Sequence, residues 1–442
     1  MSDANDGNVS LPAFSALGIE LEYALVDRET LDCRPIADQI LVDARGAVVS
    51  DLEDGALGWS NEFFLHVLEL KNPRPTTDLH ALATPLREAV KKMNRQLRQH
   101  GVCLLPGAVH PWMEPSAEAC RWSHGETDIY DTYADIFDCQ THGWANLQSM
   151  HINLPFDGDE EFARLHAAIR LILPLIPALA ASSPVANGKL TGFADFRLET
   201  YRTNASAYPS ITGHVIPEIV RTRAQYQQKI LQPMYRAIAP VDPHGVLQYD
   251  WLNSRGAIAR FDRNAIEIRL TDTQECISAD LAVASAIVSA VQWLFERTYG
   301  NDPATLDHGT LALEAILLNT ISDAEAAVID DIDYLRLLEY PKPSCTSAEL
   351  WRHVLTQSQR LVVSSLHLFD TVDGPIANIL QHGTLARRIA KGLGSNPTRE
   401  TLRAVYQQLC VCLDSDQLFL PQARDVVAKS SASADEFSLI RN

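Results

Sequence analysis

Three segments far apart in the chain share the pattern that most narrows what it can fold into: apolar and polar residues alternate, and the polar side carries acids, histidine or arginine. In Gly18-Ile-Glu-Leu-Glu-Tyr-Ala-Leu-Val26, Ile19, Leu21, Tyr23 and Leu25 fall on one face and Glu20 and Glu22 on the other. Met150-His-Ile-Asn-Leu154 sets His151 and Asn153 opposite Met150, Ile152 and Leu154. Ala265-Ile-Glu-Ile-Arg-Leu-Thr271 sets Glu267 and Arg269 opposite Ile266, Ile268 and Leu270. A period of two is that of a half-buried β-strand. An ordinary solvated face would show Lys, Thr and Ser at those positions, so the three strands side by side in one sheet would lay down a polar floor.

The rest of the chain supplies the frame. Phe63 to Leu70 reads as a further strand, stopped by Asn72-Pro73-Arg74-Pro75 because proline cannot extend a ladder. Thr77 to Gly101 is helical in pattern with a basic outer face, and Phe162 to Ala181 reads as a core helix interrupted by prolines. Asn187 to Gly213, rich in Gly, Thr, Asn and Ser, reads as a long loop rather than an element. From about Ser278 the pattern is almost entirely helical, with Ser278 or Asp280 as the expected cap of the first helix. The expected class is α+β: a disordered tail over 1–12, a catalytic α+β body over 13–300, and a helical C-terminal part over 301–442 packed on the same domain.

Composition bounds the partners. Against 37 Lys and Arg stand 56 Asp and Glu, a net charge of -19, which repels nucleic acid and anionic membrane surfaces alike. Leu281 to Phe295 is the longest uncharged apolar stretch and is shorter than the roughly 18 residues of a membrane span. The start, MSDANDGNVS, lacks the basic and apolar regions of a secretory signal, and the eight cysteines show no CxxC spacing. The expectation is a cytoplasmic protein without nucleic-acid or membrane partners.

The polar floor has a chemistry. Residues two apart on a strand lie roughly 6.6 Å apart at Cα and point the same way, so Glu20 and Glu22 can each grip a different ion of a metal pair spaced about 3.5–4 Å. Oxygen ligands favour Mg²⁺ or Mn²⁺ over zinc, and a cation relieves the repulsion between neighbouring carboxylates. Arg269 beside Glu267 offers a permanently charged fork to a phosphate. Each motif alone reads equally as a solvated face or as cross-strand pairing. No HExxH, GxSxG, GxxxxGK[ST] or strand-borne GxGxxG occurs, which leaves zinc hydrolysis, serine nucleophiles and P-loops without support.

The order and wording of the segments resemble glutamate-cysteine ligase family 2, with its bacterial carboxylate-amine ligases. The matching stretches are Gly18 to Tyr23 with Leu25-Val-Asp27, Leu68-Glu-Leu-Lys71, Gly107-Ala-Val-His-Pro111, Met150 to Asn153, Ala181-Ser-Ser-Pro184 leading into Asn187-Gly188 and Thr191-Gly192, and Ile266 to Asp272. The resemblance implies a fold like the catalytic domain of glutamine synthetase, a curved antiparallel β-sheet funnel flanked by helices, with ATP and Mg²⁺ or Mn²⁺ as cofactors. It implies metal ligands at Glu20, Glu22, Glu69, His151 and Glu267, with Glu62 a further acidic candidate. Glu62 lies seven residues before Glu69, so it must stand before that strand or past a bulge for both to serve. By the same resemblance Arg269 binds phosphate with Asn153 at the nucleotide, and Glu267 and Arg269 are the catalytic pair. Arg197, with Arg202 as its rival on the same loop, holds a substrate carboxylate. The family commonly has Ser where this chain has Asp195, which bears on what is bound. The implied partners are a small carboxylate and a small amine, glutamate and cysteine by default, and relatives suggest a homo-oligomer. The implied activity is ATP-dependent amide-bond formation through an acyl phosphate. A phosphotransferase and a non-catalytic nucleotide or metabolite sensor on the same fold are its rivals.

Overall fold

The alternating segments lie next to each other in space. In the computed structural model, which describes residues 10–125, 127–298, 300, 302–360, 365–370 and 374–421, they are neighbours in one eight-stranded antiparallel sheet. Its strands are β1 (Gly18–Asp27), β2 (Asp51–Asp54), β3 (Leu57–Asn61), β4 (Val67–Lys71), β5 (Val102–Leu105) and β6 (Ser149–Pro155), with a separate hairpin of β7 (Val185–Ala186) and β8 (Lys189–Leu190), then β9 (Ala257–Arg260) and β10 (Ala265–Asp272). The order is β2-β3-β4-β1-β6-β10-β9, with β5 paired to β1.

The apolar side of the central strands β1, β6 and β10 packs against helices. Leu21, Tyr23, Met150, Ile152, Leu154, Ile266, Ile268 and Leu270 are all fully buried. Each aliphatic side chain so buried contributes about 1.5–3 kcal/mol. Beneath them run Gly158–Ile172 and Ile277–Arg297, which pack on each other and close the core. Ile277–Arg297 has the length and composition to cross a membrane, yet 89% of its apolar window is buried inside the fold.

The register places the polar side. Glu22 stands opposite Glu69, Glu20 opposite His151, Glu267 opposite Asn153, and Ser60 opposite Glu69. A row of polar side chains therefore crosses β3, β4, β1, β6 and β10. Between Ile268 and Thr271 the pairing of β10 with β6 shifts, and the last residues of β10 continue past this irregularity to the buried Asp272.

Several sequence expectations change. The strand expected from Phe63 begins only at Val67, because Phe63 and Phe64 form the connection from β3, where their rings pack on each other and on Tyr130. The expected loop 187–213 holds a helix, Phe196–Tyr201, started by Asp195 accepting from the Leu198 N–H. The helix after β10 begins at Ile277 with Cys276 as its cap and no side-chain bond there. Asp280 instead accepts from the Gln274 N–H, and Ser278 bonds to Asp416. Of the tail expected over 1–12, residues 1–9 lie outside the described residues.

The helices between Thr310 and His382 share the main core, whereas Leu385–Leu393 and Arg399–Ser415 form a second apolar cluster with Ala24, Val26, Leu105 and Val185, reaching the main core through Leu413. A buried ion pair between Arg388 and Glu275 and the pairing of Asp416 with Arg87 fasten them to the sheet-bearing body.

Candidate active site

A cavity of about 880 Å³ opens over the polar face, and Glu20, Glu22, Glu62, Glu69, His151, Asn153, Arg197, Glu267 and Arg269 all line it. Its walls differ along the strands. At the Gly18 end they are Leu11, Leu17, Pro73 and Pro75 on one side and Arg260 and Arg263 on the other, while beyond Glu22 they are Phe63, Tyr130, Tyr133, Trp144 and Tyr201.

The acids form two overlapping groups. Glu20, Glu69 and His151 present ligand atoms within 4.8 Å of one another, and so do Glu22, Glu62 and Glu69. Glu69 belongs to both. Glu62 stands in the connection before β4, so Glu62 and Glu69 reach the same point without sharing a strand. Neighbouring side chains balance part of these charges. His151 Nδ1 lies 3.0 Å from Glu20 Oε2, and its Nε2 meets Ser149 Oγ at 2.9 Å. Ser149 gives both its N–H and its hydroxyl to Glu22 Oε2, at 2.7 and 3.1 Å. Asn153 donates to Glu20 Oε1, and Ser60 and Lys71 donate to Glu69 Oε1.

That balance is incomplete. Burial, then the neighbouring Glu20, pushes Glu69 up to about 7. Burial, then Glu22, Glu69 and Glu20, pushes Glu62 well above the usual carboxylate range. Burial is the largest single influence on Glu20, but the bond to His151 and the charges of His151 and Lys71 together outweigh it and keep Glu20 lowered. Burial likewise opposes a charge on His151, yet its bond to Glu20 and the charges of Glu22 and Glu267 together raise it. Carboxylates that can ionise together only at a penalty, all aimed at one point, are the donor set of a hard divalent cation. The residues present therefore fit a Mg²⁺ or Mn²⁺ pair.

Across the floor, Arg269 bonds Glu267 Oε1 through both Nε and Nη2, and Arg260 lies 3.5 Å from Glu267 Oε2. Burial would raise Glu267, yet Arg269 and His151 hold it near 2. Glu267 is therefore an ionised carboxylate fixed between two arginines and the acidic groups.

The profile of glutamate-cysteine ligase family 2 matches residues 16–402. The chain belongs to this family. An uncharacterised protein of Archaeoglobus fulgidus is 35% identical over 271 residues, 61% of this chain and 72% of that protein. A Bradyrhizobium sp. (strain ORS 278) protein, provisionally named glutamate–cysteine ligase 2, is 27% identical over 285 residues, and the match spans 61% of this chain and 59% of that relative's length. Among solved structures, glutamate–cysteine ligase from Francisella tularensis in complex with AMP aligns with a TM-score of 0.52 over 91% of this chain and 90% of that one. At 14% identity that likeness is one of fold.

Within this member of glutamate-cysteine ligase family 2, the two candidate substrate arginines part company. Arg197 lines the cavity, whereas Arg202 lies outside its wall, held by Glu199 through two bonds of 2.8 Å. Asp195 is fully buried behind Arg197 as a helix cap and does not line the cavity. Ser60, Ser149, Lys71 and Asp272 also belong to the polar network, and sequence reasoning gave them no role. Lys71 and Asp272 stand inside the motif stretches, so position was their available signal; Ser60 is found only from the β3–β4 register.

Proposed function

We propose that the chain is an ATP- and Mg²⁺-dependent carboxylate-amine ligase that forms an amide bond through an acyl phosphate. The observation that carries this reading is the pair of acidic groups sharing Glu69, facing Arg269 in one cavity. Family membership supports it.

Divalent ions held by Glu20, Glu69 and His151 and by Glu22, Glu62 and Glu69 would neutralise the triphosphate and withdraw charge from its terminal phosphoryl group. Arg269, fixed by Glu267, offers its guanidinium to that group, and pre-set charge of this kind needs no rearrangement as the reaction proceeds. The apolar walls at the Gly18 end suit the nucleotide base. The aromatic walls beyond Glu22, with Arg197, suit the two organic substrates, and they exclude water from an intermediate that water would destroy. A carboxylate oxygen attacks the terminal phosphorus and ADP leaves. The amine nitrogen then attacks the acyl carbon, and phosphate departs with that carboxylate oxygen. Glutamate and cysteine are the substrates to try first.

The balance of atoms supplies the test. With an ¹⁸O-labelled carboxylate substrate, ligation places one ¹⁸O in the released phosphate. A phosphotransferase leaves phosphate on the acceptor, and a sensor releases none. Unlabelled phosphate released together with amide would rule out the acyl phosphate.

A further inference from the structure

Arg197 is 2% exposed yet forms part of the cavity wall. Its Nε donates to Asp272 Oδ1 at 2.5 Å, while among the described residues Nη1 and Nη2 reach only the Arg269 carbonyl oxygen, each at 3.4 Å. The inner edge of the guanidinium is thus tightly held and the outer pair is weakly bonded. Asp272 is fully buried and saturated. Its Oδ2 accepts from the Ser182 N–H at 2.8 Å, from Ser183 Oγ at 2.8 Å and from Ser182 Oγ at 3.4 Å. Ser183 Oγ also accepts from the Arg197 N–H, so the same hydroxyl ties the acid to the arginine's backbone.

Resting on the ligase reading above, we propose that Asp272 is a positioning residue: anchored by Ser182 and Ser183, it holds Arg197 so that its two Nη groups can exchange their long bonds to the Arg269 carbonyl for the carboxylate of an amino-acid substrate. The extra residue before Thr271 turns Asp272 from the apolar face to the side of the polar floor, opposite Ser149, where it is fully buried against Arg197. An arginine held at one edge presents the other as a ready fork for a carboxylate, with little side-chain freedom left to lose on binding.

Asp195 stands next to this pair. Its Oδ1 accepts the Leu198 N–H at 2.9 Å, and its Oδ2 is buried with no hydrogen-bond partner among the described residues. Burial, then Asp272, raises Asp195 well above the usual range. An amide at 195 keeps the oxygen that caps the helix, whereas an amide at 272 weakens the acceptor that holds Arg197 Nε.

The experiment compares Asp272→Asn, Ser183→Ala and Asp195→Asn with the native chain, titrating glutamate and cysteine in turn at saturating ATP and Mg²⁺, with AMP affinity by calorimetry as a reference. Asp272→Asn should raise the KM of one amino acid about tenfold to hundredfold, the size expected for losing a charged hydrogen bond. AMP affinity should stay within about twofold. Ser183→Ala should shift the same KM in the same direction by a smaller factor, and keeps the test open should Asp272→Asn fail to fold. Asp195→Asn should leave both KM values within about twofold. Unchanged KM values in the Asp272 and Ser183 variants, or a loss of AMP and amino-acid binding together, would overturn the proposal. Calorimetric titration of the amino acid reads the cluster without turnover: weaker binding to Asp272→Asn and Ser183→Ala than to the native chain is expected, and equal binding overturns the proposal. If the native chain binds the amino acid in this pattern but forms no amide, the ligase reading fails and the cluster stands.

Discussion

Glu69 carries the conflict that defines the site. Its pKa in the folded chain is near 7, against 4.5 for an ordinary glutamate, so between those values the folded state binds the extra proton. Stability from this group is fully present below about pH 4.5 and is lost as pH rises through 7. At pH 8 without metal, Glu69→Gln should therefore be more stable than the native chain by about 1–3 kcal/mol, measured by denaturant unfolding. Mg²⁺ should raise the melting temperature of the native chain and do so much less for the variant, because ligand binding stabilises in proportion to affinity. A less stable apo variant, or an equal Mg²⁺ shift in both, would remove Glu69 from the metal set. Glu20, Glu22, His151 and Glu267 were legible in the sequence because strand periodicity places them on one face. Glu62 was legible only by resemblance, since no periodicity relates a residue in a connection to one in a strand. The difference between Arg197 and Arg202 was not legible at all, because five residues of loop sequence do not say which side chain turns inward.

Among the elements, strands with a clean apolar-polar alternation were readable and the others were not. β3 is buried along Leu57 to Ser60, β5 has a nearly continuous apolar run, β9 reads Ala-Ile-Ala-Arg, and the charged edge strand β2 is largely exposed. None of these has the period that identifies a half-buried strand. The helix Phe196–Tyr201 hides in a loop-like composition because one capping acid, Asp195, starts it. Its position is set by a close approach: a Cβ at Gly143 would lie 2.7 Å from the Thr200 carbonyl oxygen and 3.0 Å from Asn204 Cβ. Gly143→Ala must push this helix away, and with it Arg197. The expected result is a loss of about 1–3 kcal/mol of stability and a raised KM for the amino acid that Arg197 holds. Native KM values in Gly143→Ala would show that the helix does not set the arginine's position.

At the scale of the whole molecule, long-range ties join the C-terminal helices to the sheet-bearing body. Arg388 bonds Glu275 and the Phe419 carbonyl in the interior, where neither charge meets water. Arg388→Ala leaves Glu275 buried without its partner and should destabilise the chain by about 3–5 kcal/mol in denaturant unfolding; a loss below about 1 kcal/mol would mean that the pair is not a fastening. Acid should unfold the chain for a related reason. His66 and His110 are buried and neutral, with Nε2 bonded to the Ala145 and Leu31 carbonyls, and burial lowers each to about 4 from 6.5. The unfolded chain takes up these protons first, so the stability these two histidines contribute is fully present above about pH 6.5 and is lost as pH falls toward 4. In a Glu69→Gln background, which removes the opposing titration of that acid, the melting temperature should follow this course, and adding His66→Gln should flatten it. Such ties lie beyond sequence periodicity, since each joins residues separated by tens to hundreds of positions.

The central claim is that the acidic floor drives ATP-dependent joining of a carboxylate to an amine. Its most direct test is phosphate release from ATP and Mg²⁺ across amino acids supplied singly and in pairs, for the native chain and for Glu20→Gln and Glu267→Gln. The account predicts release that requires one acid and one amine together and disappears in both variants. Release with a single amino acid, or release that survives in both variants, would contradict it.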